Sequence, residues 1–181
     1  RDLYLYRATA NLKAGNAEAA MADCQELSQN YDMDADSYFL AGKVALTMDG
    51  YDEAAADFQQ AYDADAGYDR ALQIYEAYLE KDMEADGTRY LEAALSTEAK
   101  DTEDLCNRGR IYYYMQDYDN AKKELTDASN QGSTEALLLL GMVYSAQEDY
   151  ANGRAMYQQF VNKKLDEDVK KQTQTAAPGY N

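Results

Sequence analysis

The chain has 181 residues, 34 acidic and 17 basic, for a formal net charge of −17, and 46% of it is hydrophobic. That apolar content is enough for a packed core, and the charge argues against nucleic acid and against anionic membrane surfaces as partners. Histidine is absent, which removes the commonest general base, the commonest metal ligand and every Ser-His or Cys-His nucleophilic device.

Read from the N-terminus, Tyr4, Ala8, Gly15-Asn16, Ala20, Cys24 and Leu27 predict a helix, a turn and a second helix. The next segment repeats this more clearly. In Tyr38-Phe39-Leu40-Ala41-Gly42-Lys43-Val44-Ala45-Leu46 apolar and small residues recur at helical spacing, Asp49-Gly50-Tyr51-Asp52 turns the chain, and Ala54, Phe58 and Ala61 form the stripe of a second helix. Asp69 to Asp101 is degenerate: Leu72, Tyr75 and Leu79 make the first helix and Gly87, Leu91 and Ala94 the second. Glu76 stands where a small residue is expected, with one residue fewer in the turn. The grammar returns with Leu105, Gly109, Tyr112, Ala121, Leu125 and Ala128, and again with Leu137, Leu140-Gly141, Tyr144, Gly153, Tyr157 and Phe160.

Four of these segments carry a small residue followed twelve positions later by another: Ala8 and Ala20, Gly42 and Ala54, Gly109 and Ala121, Gly141 and Gly153. A recurrence of about 34 residues marks a solenoid of helical hairpins. The expected repeats are 1–34, 35–68, 69–101, 102–133 and 134–167. Asp166 to Thr175 has acids in its first turn and lysines near its end, as a polar capping helix would, so 168–181 is read as a partial cap and flexible tail.

Some features resist a functional reading. Asp32-Met33-Asp34-Ala35-Asp36 and Asp63-Ala64-Asp65 open like calcium loops, but the twelfth positions are Lys43 and Ile74, so helix capping is the better account and no metal is expected. Cys24 and Cys106 read as two buried, unpaired thiols. Tyr38, Tyr112, Tyr144 and Tyr157 are expected in the core, and Tyr51, Tyr118 and Tyr150 against the hairpin turns. No apolar run approaches the roughly 20 residues of a membrane span. The chain opens on Arg1 rather than methionine, so an excerpt of a longer protein is expected, with any export signal upstream.

The residues quoted above resemble the tetratricopeptide repeat (TPR) family over nearly the whole chain to about residue 167. Tyr38, Gly42, Ala54, Phe58 and Ala61 match its pattern in one repeat, and Leu140-Gly141, Tyr144 and Tyr157 in another. The resemblance implies an all-α, right-handed α-α superhelix of about five hairpins. The first helix of each hairpin would line a concave groove through repeat positions two, five, nine, twelve and thirteen. Those positions give Leu5, Thr9, Leu12, Lys13, Phe39, Lys43, Leu46, Gln73, Lys81, Arg110, Tyr113, Tyr114, Leu138 and Met142. The family's clamp for C-terminal carboxylates is not reproduced, Asn107 being the lone match.

The resulting expectation is a non-enzymatic scaffold that binds a protein or peptide, without cofactor, nucleic acid or membrane insertion. A self-associating structural segment of a larger surface protein is the alternative. A carboxylate-based hydrolase stands behind both, since nothing singles out an acidic pair. The Asp-, Tyr- and Ala-rich repeats resemble extracytoplasmic bacterial TPR lipoproteins, which favours a lipid-anchored protein over a cytoplasmic adaptor.

Overall fold

The computed structural model describes residues 1–175, so the tail expected over 176–181 lies outside the described residues. It is all-α. The helices are α1 (Asp2–Lys13), α2 (Ala17–Asn30), α3 (Ala35–Thr47), α4 (Tyr51–Ala64), α5 (Tyr68–Leu79), α6 (Glu84–Leu95), α7 (Thr102–Tyr114), α8 (Tyr118–Asn130), α9 (Glu135–Ala146) and α10 (Tyr150–Thr175). They pair in sequence as five hairpins. The chain divides into two compact units, residues 1–97 with α1 to α6 and residues 98–181 with α7 to α10.

Every hairpin turns by the same device. Gly15, Asp49, Asp82, Gln116 and Glu148 all take positive φ, between 57° and 79°. The following N–H then donates back to a carbonyl of the preceding helix: Asn16 to Asn11 at 2.8 Å, Gly50 to Ala45 at 2.9 Å, Met83 to Tyr78 at 3.0 Å, and Asp117 to Tyr112 and Asp149 to Tyr144 at 2.9 Å. This left-handed residue and its back-bond end a helix by satisfying carbonyls that would otherwise have no partner. Aspartates then start several of the helices, as the sequence led us to expect. Asp34, Asp101 and Asp117 accept from the N–H of Ser37, Asp104 and Asn120, which offsets unsatisfied donors of the first turn. Asp63 and Asp65 do not serve in this way; Gly67 precedes α5.

Small residues let the paired helices touch. A Cβ added to Gly42 would lie 2.7 Å from a ring carbon of Phe58, and one on Gly109 or Gly141 would collide with Leu125 or Tyr157. The left-handed turn residue follows the small residue by seven positions in these hairpins, and applying that offset to Asp82 reaches Tyr75. The expectation for the third repeat is therefore corrected: Tyr75, not Glu76, takes the small residue's place, and the turn is not shortened. Gly87 supplies the missing space, since a Cβ there would lie 2.9 Å from Tyr75 Cα.

Within residues 1–97 the hairpins share one interior. Phe58, fully buried, meets Tyr78 of α5 edge-on at 5.1 Å and Phe39 of α3 at 5.8 Å. Ala8, Ala20 and Cys24 of the first hairpin pack with Leu40 and Val44 of the second. In residues 98–175, Leu125 and Ala128 pack with Leu139, Leu140 and Val143. No hairpin encloses its apolar face alone, as repeat architecture requires.

Several expectations are revised here. Tyr38, Tyr112, Tyr144 and Tyr157 are half-buried rather than core, and Tyr51 and Tyr150 are exposed at 49% and 61%, leaving Tyr118 as the one of its group that packs. The separate capping helix is absent: Asp166 to Thr175 continues α10, because no proline, glycine or left-handed residue interrupts it. Glu167 accepts from Thr134 Oγ1, and Lys163 Nζ donates to the Gly132 carbonyl at 2.9 Å, tying α10 to the loop before α9. No described helix is long and apolar enough to cross a membrane.

Candidate functional site

In residues 1–97 the first helices α1, α3 and α5 enclose an open cavity of about 570 Å³. Leu5, Leu12, Phe39 and Leu40 give it an apolar wall, with Thr9, Thr47 and Gln73 as neutral polar groups. Its charged residues are Lys13, Lys43, Arg70, Asp36 and Glu80. The size falls in the range of small-ligand and peptide pockets, roughly 300–1,000 Å³. Of the expected groove residues in this unit, Leu5, Thr9, Leu12, Lys13, Phe39, Lys43 and Gln73 come together here. Leu46 does not. It is 2% exposed and lies one turn beyond Gly42, on the side that α3 turns toward its own partner helix. Lys81 also falls outside the cavity lining, held at 3.3 Å by Asp49 on the exterior of the turn.

Arg70 is the most deeply buried of the paired charges in the cavity. Its side chain is 7% exposed. Nη2 donates to Asp36 Oδ1 at 2.6 Å, Nη1 donates to Gln73 Oε1 at 2.9 Å, and the guanidinium carbon lies 5.2 Å from the Phe39 ring centroid. The Asp65 carboxylate is farther, at 3.6 Å. Nε is buried with no acceptor, an arrangement that costs about 1–3 kcal/mol. The carboxylates around it are the solvated side of the site, since Asp36 and Asp65 are 72% and 69% exposed. Lys43 meets Glu80 at 3.5 Å, and Glu80 is 67% exposed; such surface pairs contribute about 0–1 kcal/mol.

Neither Arg70 nor Asp36 is among the groove residues expected from sequence. The signal that could have found them is opposite charge at a spacing of 34 residues, one repeat apart. Three of the seven lysines and arginines in residues 1–97 line the cavity, against two of the twenty acids. An acidic unit has thus gathered cations in one place.

The expected groove residues of the second unit are arranged differently. Arg110 is ion-paired with Glu135 of the neighbouring first helix. Tyr113 is half-buried, its ring tilted against Tyr114 at 5.8 Å and against Tyr118 of its hairpin partner α8 at 6.2 Å. Met142 packs against the interior and Leu138 is 36% exposed. Tyr113 stands four residues after Gly109, as Leu46 does after Gly42, and both turn toward the paired helix for that reason.

A second cavity of about 240 Å³ lies beside Cys24, Met33, Tyr38, Ala41 and Asp57. Burial pushes the Cys24 thiol up to about 11, so it is an inert thiol at neutral pH. Burial, and then the neighbouring Glu53, push the Asp57 carboxyl up to about 6. Among the described residues no group of three or more Cys, Asp or Glu side chains converges as a metal site would require.

Models of the tetratricopeptide repeat match residues 35–68, 105–129 and 135–163. Solved structures are similar in fold at low identity. The C-terminal part of a TPR repeat-containing protein from Cytophaga hutchinsonii aligns at TM-score 0.61 and 17% identity, over 92% of this chain and 68% of that one. MamA from Desulfovibrio magneticus RS-1 aligns at 0.58 and 14%, over 92% and 96%. YrrB, described as a TPR protein with an unusual peptide-binding site, aligns at 0.52 and 19%, over 95% and 90%. The matched stretches are therefore tetratricopeptide repeats, and the remaining described hairpins share their fold.

Proposed function

We propose that this protein is a non-enzymatic scaffold whose α1–α3–α5 groove binds a peptide segment of a partner protein. The observation that carries this reading is the groove itself: an apolar wall of Leu5, Leu12, Phe39 and Leu40 beside a guanidinium fixed by Gln73 and Phe39. Apolar surface supplies affinity, and a few oriented polar groups fix register. The peptide-binding site named for YrrB is support by analogy of fold. Arg110, Tyr113, Tyr114, Leu138 and Met142 are proposed as a further contact face on the second unit. The extracytoplasmic, lipid-anchored setting is proposed on sequence resemblance, and fractionation of cells that express the protein tests it.

Selection of displayed random peptides on the immobilised full chain, followed by fluorescence polarisation, tests the groove. Recovered peptides should bind the wild type and lose affinity for Phe39→Asp, with the helical circular dichroism of both proteins equal. Equal binding to both sinks the reading.

A second reading, self-association, has one observation in its favour. Val161, Leu165 and Val169 form a stripe on α10 exposed at 46%, 58% and 58%. Light scattering at rising concentration decides it: a mass that grows with concentration and returns to the monomer in Leu165→Asp supports it, and a constant monomer ends it.

A further inference from the structure

We infer that the groove of the first unit takes a peptide in which an acidic side chain neighbours an apolar one, with the carboxylate seated on Arg70 and Lys43. This rests on the groove reading above and gives it a ligand chemistry. Charge distribution is the first argument. The unit is acidic overall, with 20 acids against 7 lysines and arginines, yet its groove lining carries Lys13, Lys43 and Arg70 against only Asp36 and Glu80, so this face repels an anion less than the rest of the unit does.

The second argument is how unevenly the groups are held. Arg70 is buried, braced by Gln73 and stacked on Phe39. A planar guanidinium fixed in this way is a preorganised fork for a carboxylate. Its acidic companions Asp36 and Asp65 are mostly in water. Asp36 therefore acts as a placeholder, and an incoming Asp or Glu exchanges one carboxylate for another at small cost. Glu80 holds Lys43 in the same exchangeable way.

The third argument is adjacency. The same guanidinium that would take the carboxylate lies over Phe39, which continues into Leu5 and Leu12. An acidic residue seated at Arg70 thus brings its sequence neighbour onto the apolar wall. A lysine or arginine placed there would meet like charge.

The unbiased peptide selection described above supplies the test. Recovered sequences should be enriched in Asp or Glu next to Leu, Ile, Val or Phe, and Glu→Gln within a recovered peptide should weaken binding by at least about tenfold. Arg70→Gln should cause a similar loss, and Asp36→Asn should tighten binding several-fold by removing the internal competitor. Because Arg70 is buried, Lys43→Gln is the companion variant, and its weaker loss should vanish at high salt. Enrichment of basic or uncharged sequences overturns the inference, as does Asp36→Asn weakening the complex. Loss of binding when the peptide C-terminus is amidated moves the carboxylate to the chain end and also overturns it. Recovery of no peptide at all fails the groove reading itself, which is a distinct result.

Discussion

Hairpins α3–α4 and α5–α6 solve one packing problem in opposite ways. In the former the glycine is on the first helix, and Phe58 of the second presses its ring onto Gly42. In the latter Tyr75 holds the first-helix position, and the second helix yields through Gly87. Leu91, fully buried, then replaces Phe58 at the same offset. The fold conserves the combined thickness of two facing positions, and residue size at either one is free to vary.

Truncating the large partner should break the comparison most severely. Phe58→Ala empties a site shared by α3, α4 and α5, and should cost about 3–5 kcal/mol in urea unfolding. The glycines come next. Gly87→Ala presses a methyl on backbone at Tyr75, while Gly42→Ala meets a ring that can tilt slightly. Overpacking of this kind costs about 1–3 kcal/mol, against a gain of about 1 kcal/mol in helix propensity. Gly87→Ala should therefore be the more destabilising of the two, and the opposite order would show that the third hairpin is the looser one.

These hairpins also show what could be read in the sequence. The repeat period, hairpin count and pairing were legible because Gly42, Gly109 and Gly141 are small in a position that sterics fix. The third register slipped by one residue because that position holds a tyrosine, and only the left-handed Asp82 reveals it. Leu5, Leu12 and Phe39, which the family resemblance points to as groove positions, line the cavity between α1, α3 and α5. Leu46 was misassigned because one helical turn beyond Gly42 is already the hairpin interface. Arg70 was missed since a buried guanidinium depends on Asp36 and Gln73 meeting it in space, which no local pattern records.

The first two hairpins offer a comparison of charge. Arg7 Nε donates to both carboxylate oxygens of Asp23 at 3.0 Å, and Arg108 Nε donates to Glu124 at 3.2 Å, in each case across 16 residues. Asp57 holds the same place as Asp23, but Ala41 stands where Arg7 would. Hydrogen bonding to Arg7 holds Asp23 below the usual carboxylate range, while burial raises Asp57 to about 6. With Asp57 the folded state binds its proton more tightly than the unfolded state, so its effect is to increase stability as pH falls through 6 toward 4. The gain should be about 1–2 kcal/mol after allowance for solvent screening. Asp57→Asn should remove that part of the pH profile and stabilise the protein at pH 7; an unchanged profile refutes the assignment. Ala41→Arg should bring Asp57 back into the ordinary range, readable by NMR titration.

The smallest effects belong to the turns, where the five hairpins are most alike. Gly15 takes its positive φ without penalty, while Gln116 and Glu148 adopt the same conformation with a side chain attached. An L-residue there costs about 1–2 kcal/mol, and the extra freedom that glycine has when unfolded returns about 0.5–1 kcal/mol of that difference. Gln116→Gly and Glu148→Gly should each stabilise by about 0.5–1 kcal/mol, and Gly15→Ala should destabilise by about as much. Asp49→Gly should gain less, because aspartate tolerates this region and Asp49 also accepts from Tyr51 and pairs with Lys81. A gain at Asp49 equal to that at Gln116 would mean that these side-chain contacts contribute nothing and that backbone strain alone sets the cost of the turn.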